Sequence, residues 1–575
     1  MKSLRVLCVF CGLVVPGLAL DREAFTFTNY NLDVRVEPEQ QRLGVRGRIT
    51  LRNDSAASQK NVALQISSSL DWRSIQIGGQ AVEFVSHEYT SDVDHTGALS
   101  EAIVTLPREV PPKGTVELDV GYEGVIPLDV TRLTQIGVPE DKAKHTDWDE
   151  ISKSFTAVRG IGYVAWYPVA TESADLSEGN SVFETLGRWK AREAEANLKI
   201  NLSDSGEGSV EPPKLFCNGK AGRQFYEQMG RAFQVQGDYS FEPLGTVVPL
   251  FAVGGYDTLE RPSLNISFLP GHKSGAENYS LAAELAAPLV TEWFGAPGHK
   301  AQTVELADPE AASFDAGIML LTPLNTAIST LYQLTAVHQL THAAFFSPRP
   351  WIYEGLAHFA QVLEEEQQNG RQAALDFMGR HRATISDAEK ALATAPPQNA
   401  AANESLINTN TEDLYRSKAM YVWWMLRDMI GDAPLKKALA AYHSDQDKEP
   451  SYLQHLIEAQ SHRDLEWFFD DWVYRDRGLP DFRVESAYPR ATVGGGYVIT
   501  VTIQNLGDAG AEVPVTLRME AGEVTKRLEV RAKSKATIRI EAATTPLEVV
   551  VNDGSVPESD MSNNVFKVPP PDAAK

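Results

Sequence analysis

The spacing of apolar residues changes period twice along this chain, and those changes divide it before any motif is read. In the first region apolar and polar residues alternate in short runs. Leu32, Val34 and Val36 make one face, Val45, Gly47, Ile49 and Leu51 another, and Val116, Leu118 and Val120 repeat the pattern. Period two puts successive side chains on opposite sides of a pleated strand, so these runs predict half-buried antiparallel strands. Within them, 203–213 is rich in Gly, Ser and Glu and reads as an exposed loop. After Leu264-Asn265-Ile266-Ser267-Phe268 the period shifts toward that of a helix. The spacing predicts helices over 278–294, 326–346, 351–366, 371–395, 411–430, 434–442, 451–459 and 463–474. Pro288 should kink or split the first of these. Alternation returns at Phe482 and runs through Ile499, Val501 and Ile503 to Val550-Val551, punctuated by Gly494-Gly495-Gly496 and Asn552-Asp553-Gly554. The predicted fold class is multidomain α+β. An all-β domain (21–245) precedes a mostly helical domain (246–481), then an immunoglobulin-like β-sandwich (482–568) and a Pro-rich disordered tail (569–575).

Lys2 and Arg5, an apolar run from Val6 to Val15, and Pro16-Gly17-Leu18-Ala19-Leu20 have the layout of a signal peptide over 1–20. Export to a periplasm or the extracellular space is the expectation. A lipoprotein anchor at Cys11 is disfavoured by the short apolar segment before it. Cys8 and Cys11 would leave with the signal, and Cys217 alone cannot form an internal disulfide. It reads as a buried or inert thiol. No later run of about 18 apolar residues exists, so no membrane span is expected in the mature chain. A formal net charge of −24 argues against nucleic acid or an anionic membrane surface as partner. The sequence carries no signal for an oligomeric state.

The chemistry-bearing stretch is His338-Gln339-Leu340-Thr341-His342, followed by Trp351-Ile352-Tyr353-Glu354-Gly355-Leu356-Ala357. Histidines four apart on a helix project from one face, so both imidazoles can reach one metal ion. Glu354, on the next predicted helix, would complete three protein ligands for one Zn2+ and leave a fourth position for water. Directly after the first histidine, where a Glu would take the water's proton, stands Gln339. A glutamine is neutral and cannot accept that proton, although it donates and accepts hydrogen bonds. General-base assistance is worth about 10²–10⁴-fold. Glu364, Glu365 and Glu366 lie roughly three turns beyond Glu354, too far to substitute.

Blander readings stand beside these. The histidines could be a hydrogen-bonded core pair, and Glu354 an acid favoured at a helix start. His358, one turn after Glu354, is placed either to steady a ligand from behind or on the surface. Tyr415, Tyr421, Trp423 and Trp424 read as core, and His381, between Arg380 and Arg382, as solvated.

The two motifs together resemble the gluzincin metallopeptidases, specifically the aminopeptidase N and leukotriene A4 hydrolase family. Trp166-Tyr167-Pro168, the segment from Tyr415 to Asp432, and Asp464-Leu465-Glu466-Trp467-Phe468-Phe469-Asp470-Asp471-Trp472 are similar to further family segments, in order. The resemblance covers most of the chain from about 30 to 479. It implies a thermolysin-like metallopeptidase domain over 246–481, zinc on His338, His342 and Glu354, and peptide hydrolysis by zinc-activated water. It implies Tyr415 as transition-state stabiliser, offset by about one residue from the family spacing. The family's exopeptidase motif falls near Gly317-Ile318-Met319-Leu320-Leu321, which makes Gly317 and Met319 candidate substrate contacts. Leu320 then stands where the family holds a substrate's free amine with Glu. Eleven residues separate His342 from Glu354, a shorter link than in aminopeptidase N. The expected protein is an exported, zinc-binding metallopeptidase relative acting on peptide or protein, with hydrolysis weak or lost at Gln339. The alternative is a catalytically inactive module that holds peptides or proteins in the same cleft.

Overall fold

The computed structural model of the protein describes residues 20–89, 99–135, 137–160, 164–169, 192–207, 212–229, 232–245, 247–324, 329–394, 404–409, 411–493 and 495–569. The expected signal segment lies outside them but for Leu20, and the expected tail but for Pro569.

The alternating runs of the first region form strands, and their apolar faces are buried. Leu32, Val34 and Val36 of Phe25–Glu37, and Leu43, Val45, Ile49 and Leu51 of Arg42–Asn53, are all in the core. These two strands pair antiparallel at the centre of an eight-stranded sheet. Phe25–Glu37 also pairs with Asn197–Glu207, and that pairing is parallel. The two strands are joined by a long excursion rather than a hairpin, which leaves either direction open. Asn197–Glu207 also overturns the expected loop at its start, since residues 203–207 continue the strand. Ser203 there is half-buried and Asp204 buried, and the backbone pairs with Phe25–Glu37 as far as Asp204 and with Ala232–Phe241 as far as Glu207. Two short helices, Thr131–Gln135 and Glu140–Thr146, interrupt the β region. A second sheet adds Thr156–Arg159, Lys214–Cys217 and Leu250–Gly254. Cys217 is buried, and burial pushes its thiol up to about 12, as expected of an inert thiol.

The middle region is helical around a five-stranded sheet. Leu264–Phe268, Ala301–Glu305 and Met319–Thr322 run parallel, and Phe314–Ala316 pairs antiparallel with Met319–Thr322 at the edge. The last three strands carried no period-two signal. They are short, and Ala301–Glu305 and Met319–Thr322 are buried on both faces, which removes the alternation. The helix Lys273–Phe294 runs through Pro288 without splitting. Pro288 is solvent-exposed, so water can satisfy the carbonyl that the missing N–H leaves free. Behind it pack Ser329–Ala344, which carries both histidines, and Pro350–Asn369, which carries Glu354. The predicted helix over 371–395 is two, Arg371–Gly379 and Arg382–Thr394, and the one over 411–430 is a π-helical turn, Asp413–Lys418, running into Ala419–Ile430.

From Phe482 the chain forms two antiparallel sheets of three and four strands. Ile499, Val501 and Ile503 from one and Val513, Val515, Leu517, Val549 and Val551 from the other are buried in the same core as the helices. Among the described residues, no helix is long and apolar enough to cross a membrane.

Candidate metal centre

The helix Ser329–Ala344 buries Tyr332, Ala336, Val337, Leu340 and Ala343, a helical stripe that fixes its rotation. His338 and His342 are then carried one turn apart, both buried. The next helix opens with Pro350 in its first turn, where a missing N–H costs nothing. It docks closely on Ala419–Ile430: a Cβ at Gly355 would lie 2.7 Å from the Ala419 Cβ and 3.0 Å from the Trp423 Nε1. That close approach carries the turn Asp413–Lys418, and with it Arg416, beside Glu354.

The expected ligands meet. The two Nε2 atoms of His338 and His342 face each other at 3.1 Å. Glu354 Oε1 is 3.6 Å from His342 Nε2, and its Oε2 is 3.8 Å from His338 Nε2. A carboxylate that the sequence reading missed joins them. Asp315 Oδ2 lies 2.9 Å from His338 Nε2 and 3.9 Å from His342 Nε2. Two sets of three side chains converge tightly enough to share a cation: Asp315 with His338 and His342, and His338 with Glu354 and His358. A tetrahedral ion with bonds of about 2.0–2.1 Å spaces its ligand atoms by about 3.3–3.4 Å, and the separations here bracket that value. Nitrogen from imidazole and oxygen from carboxylate are also the donor types zinc takes.

Burial works against the charge on Glu354, yet Arg416, His342 and His338 outweigh it and hold the carboxyl well below the usual range. Arg416 Nε donates to Glu354 Oε2 at 3.1 Å, and its Nη1 lies 3.3 Å from Glu412 Oε1. Burial also opposes protonation of His338, but Asp315 and Glu354 raise its pKa. In His342 burial dominates and lowers the pKa. His358 is pushed well below its ordinary value by burial and by His338. Its ring stands edge-on to His338 with centroids 4.9 Å apart. The Tyr353 ring lies 3.9 Å from that of His342, tilted by 35°.

Gln339 is 1% exposed, and both ends of its amide are hydrogen-bonded. The Oε1 atom accepts from the Tyr279 hydroxyl at 2.7 Å and from Thr303 Oγ1 at 3.1 Å, while Nε2 donates to the Gln302 carbonyl at 2.7 Å. These bonds fasten the histidine helix to the strand Ala301–Glu305. Tyr415 donates its hydroxyl to Glu412 Oε1 at 3.3 Å, one turn back on its own helix. Gly317 sits in the turn between Phe314–Ala316 and Met319–Thr322, at φ +77°, with the Tyr353 hydroxyl 3.0 Å from where a Cβ would be. Met319, by contrast, is 1% exposed in an apolar cluster with Phe216, Val304 and Leu321. His381 is not solvated as expected. It is half-buried in the turn between Arg371–Gly379 and Arg382–Thr394, hydrogen-bonded from Nδ1 to Ser417 Oγ at 2.9 Å and near the His358 ring. Glu364 pairs with Gln333 and Gln368, away from the metal ligands.

Asp315, Arg416 and Tyr353 are the residues of the centre that sequence reasoning missed. Asp315 had a signal available. Its Oδ1 accepts from the Gly317 N–H at 2.9 Å, an Asx turn foreshadowed by Asp two residues before Gly.

No protein-family model matches the sequence, and no curated protein matches it. Solved structures do resemble the fold. Legionella pneumophila aminopeptidase A, crystallised in complex with aspartic acid, superposes at a TM-score of 0.59 with 12% identity, over 93% of this chain and 59% of that one. This chain therefore spans about three fifths of the Legionella enzyme's length. The M1 zinc metallopeptidase of Deinococcus radiodurans is similar at a TM-score of 0.45 with 14% identity, over 78% of this chain and 94% of that one. The first likeness establishes an aminopeptidase-like, multidomain α+β fold.

Proposed function

We propose that this chain is an exported, zinc-binding protein on the metallopeptidase fold, in which peptide-bond hydrolysis is weak or lost and the cleft holds a peptide or protein segment. His338, His342 and Glu354 would hold the ion. On these three ligands alone, with a fourth position open, zinc would supply Lewis-acid polarisation of a carbonyl. Every other contribution comes from the chain. Arg416 keeps Glu354 ionised and oriented, and His358 backs His338. Tyr353 packs over His342.

The observation that carries the loss of hydrolysis is Gln339. It stands where a general base belongs, cannot take a proton, and spends its amide on Tyr279, Thr303 and Gln302. Without that base the rate falls by about 10²–10⁴-fold. Binding without turnover follows, since no group at that position can take the proton.

The test is zinc per chain by elemental analysis on protein purified without added metal, beside His342→Ala and a broad peptide panel. About one zinc per chain, lost in the variant, with saturable peptide binding and little or no cleavage, is the expected result. No zinc after reconstitution would end the zinc reading. Rapid, chelator-sensitive cleavage would end the claim that hydrolysis is weak or lost.

A further inference from the structure

We propose that Asp315 is a fourth protein ligand, so that the metal centre is closed and the ion ties the edge hairpin to the two ligand-bearing helices. This deepens the zinc reading above and rests on it. A catalytic zinc keeps one position open for water, whereas a centre with four protein ligands is structural. Three separate elements deliver the donors here: the strand Phe314–Ala316, the helix Ser329–Ala344 and the helix Pro350–Asn369. Asp315 Oδ2 is as near the histidine nitrogens as the Glu354 oxygens are, at 2.9 and 3.9 Å against 3.8 and 3.6 Å.

The carboxylate is also held in place. Its other oxygen, Oδ1, accepts from the Gly317 N–H, which leaves Oδ2 aimed at the histidines. The hairpin cannot swing freely, because the Tyr353 hydroxyl sits over Gly317 while its ring packs on His342. Two carboxylates and two imidazoles are the donor number of a tetrahedral ion and balance a divalent charge; Asp315 groups with both histidines and Glu354 with His338 and His358, so one ion would draw the two carboxylates together. With that sphere complete, the inertness of the centre does not depend on Gln339 alone. The ion fastens the edge of the five-stranded sheet to the helices behind it.

The test replaces zinc by Co2+ in the full chain and titrates azide while recording the visible spectrum, which reports coordination number and ligand exchange. For the wild type the expected result is a tetrahedral spectrum that azide leaves unchanged. In Asp315→Ala azide should shift the spectrum, and affinity for zinc should fall by about tenfold or more. Asp315→Asn keeps the side-chain shape and serves if the alanine variant does not fold, with melting temperature recorded for both. An azide-sensitive wild type, or a variant with unchanged affinity, would overturn Asp315 as a ligand while leaving the three-ligand zinc site standing. A wild type that takes up neither ion would overturn both.

Discussion

Glutamate at position 339 would not simply restore a peptidase. The Tyr279 and Thr303 hydroxyls suit a carboxylate, but the Gln302 carbonyl, 2.7 Å from Nε2, would then face an oxygen. Gln339→Glu should therefore destabilise the protein by about 2–3 kcal/mol, the cost of an unsatisfied buried acceptor. It should gain no turnover, because the closed sphere offers no water to activate. Denaturant unfolding and a chelator-controlled peptide assay measure the two effects, and a strong gain of cleavage would sink the closed-site argument. Residue by residue, the pairing of His338 with His342 was legible because an i, i+4 pair shares a helix face, and Glu354 only through the motif 351–357 that follows. Asp315 was not: its Asx turn signals the hairpin, but the hairpin's approach to the helix that follows is a tertiary contact. Arg416 escaped for a different reason: a lone arginine in sequence reads as surface charge, and only the fold reveals the carboxylates that bury it.

At the level of elements the hairpin Phe314–Thr322 is the sensitive piece. Gly317 has φ +77°, and an added Cβ there would press on the Tyr353 hydroxyl. Gly317→Ala should cost about 1–3 kcal/mol in strain and also weaken metal binding, since the Gly317 N–H orients Asp315. Zinc affinity that stayed unchanged while stability fell would show that the hairpin takes no part in the centre. Strands such as Phe25–Glu37, Arg42–Asn53 and Tyr497–Asn505 were readable because each has one less buried face, which leaves a period-two imprint. The short strands around this hairpin were not, since burial on both sides erases it. Helix existence was legible and helix continuity was not. Gly379 separates two helices where periodicity alone ran on, and exposed Pro288 failed to separate one.

Over the whole molecule, one apolar core runs from Leu264 through the helices into both sheets of the C-terminal region. Polar contacts reinforce the joint: Trp472 Nε1 donates to the Gly510 carbonyl at 2.7 Å, and Arg527 Nη1 to Asp428 Oδ2 at 3.0 Å. A perturbation in the terminal sheets should therefore be felt by the helices that carry the centre. Glu558 provides one. It is buried at the joint, accepting from the Phe482 N–H at 3.0 Å and from the Asn552 and Asn564 amides. Burial pushes its carboxyl up to about 7, past those hydrogen bonds that pull the other way. A folded-state pKa above the unfolded value of about 4.3 means that the folded chain binds the proton more tightly. The stabilisation is then fully present below about pH 4 and is lost as pH rises through 7, amounting to about 3 kcal/mol. Glu558→Gln mimics the protonated form and removes this dependence. Unfolding free energies of wild type and variant at pH 5 and pH 8 should diverge by about that amount, with the wild type losing more. Because the core is shared, the loss should appear in helical circular dichroism as well as in the sheets. Parallel pH profiles for the two proteins would refute the role given to Glu558, and a helical signal that ignored the change would refute the shared core.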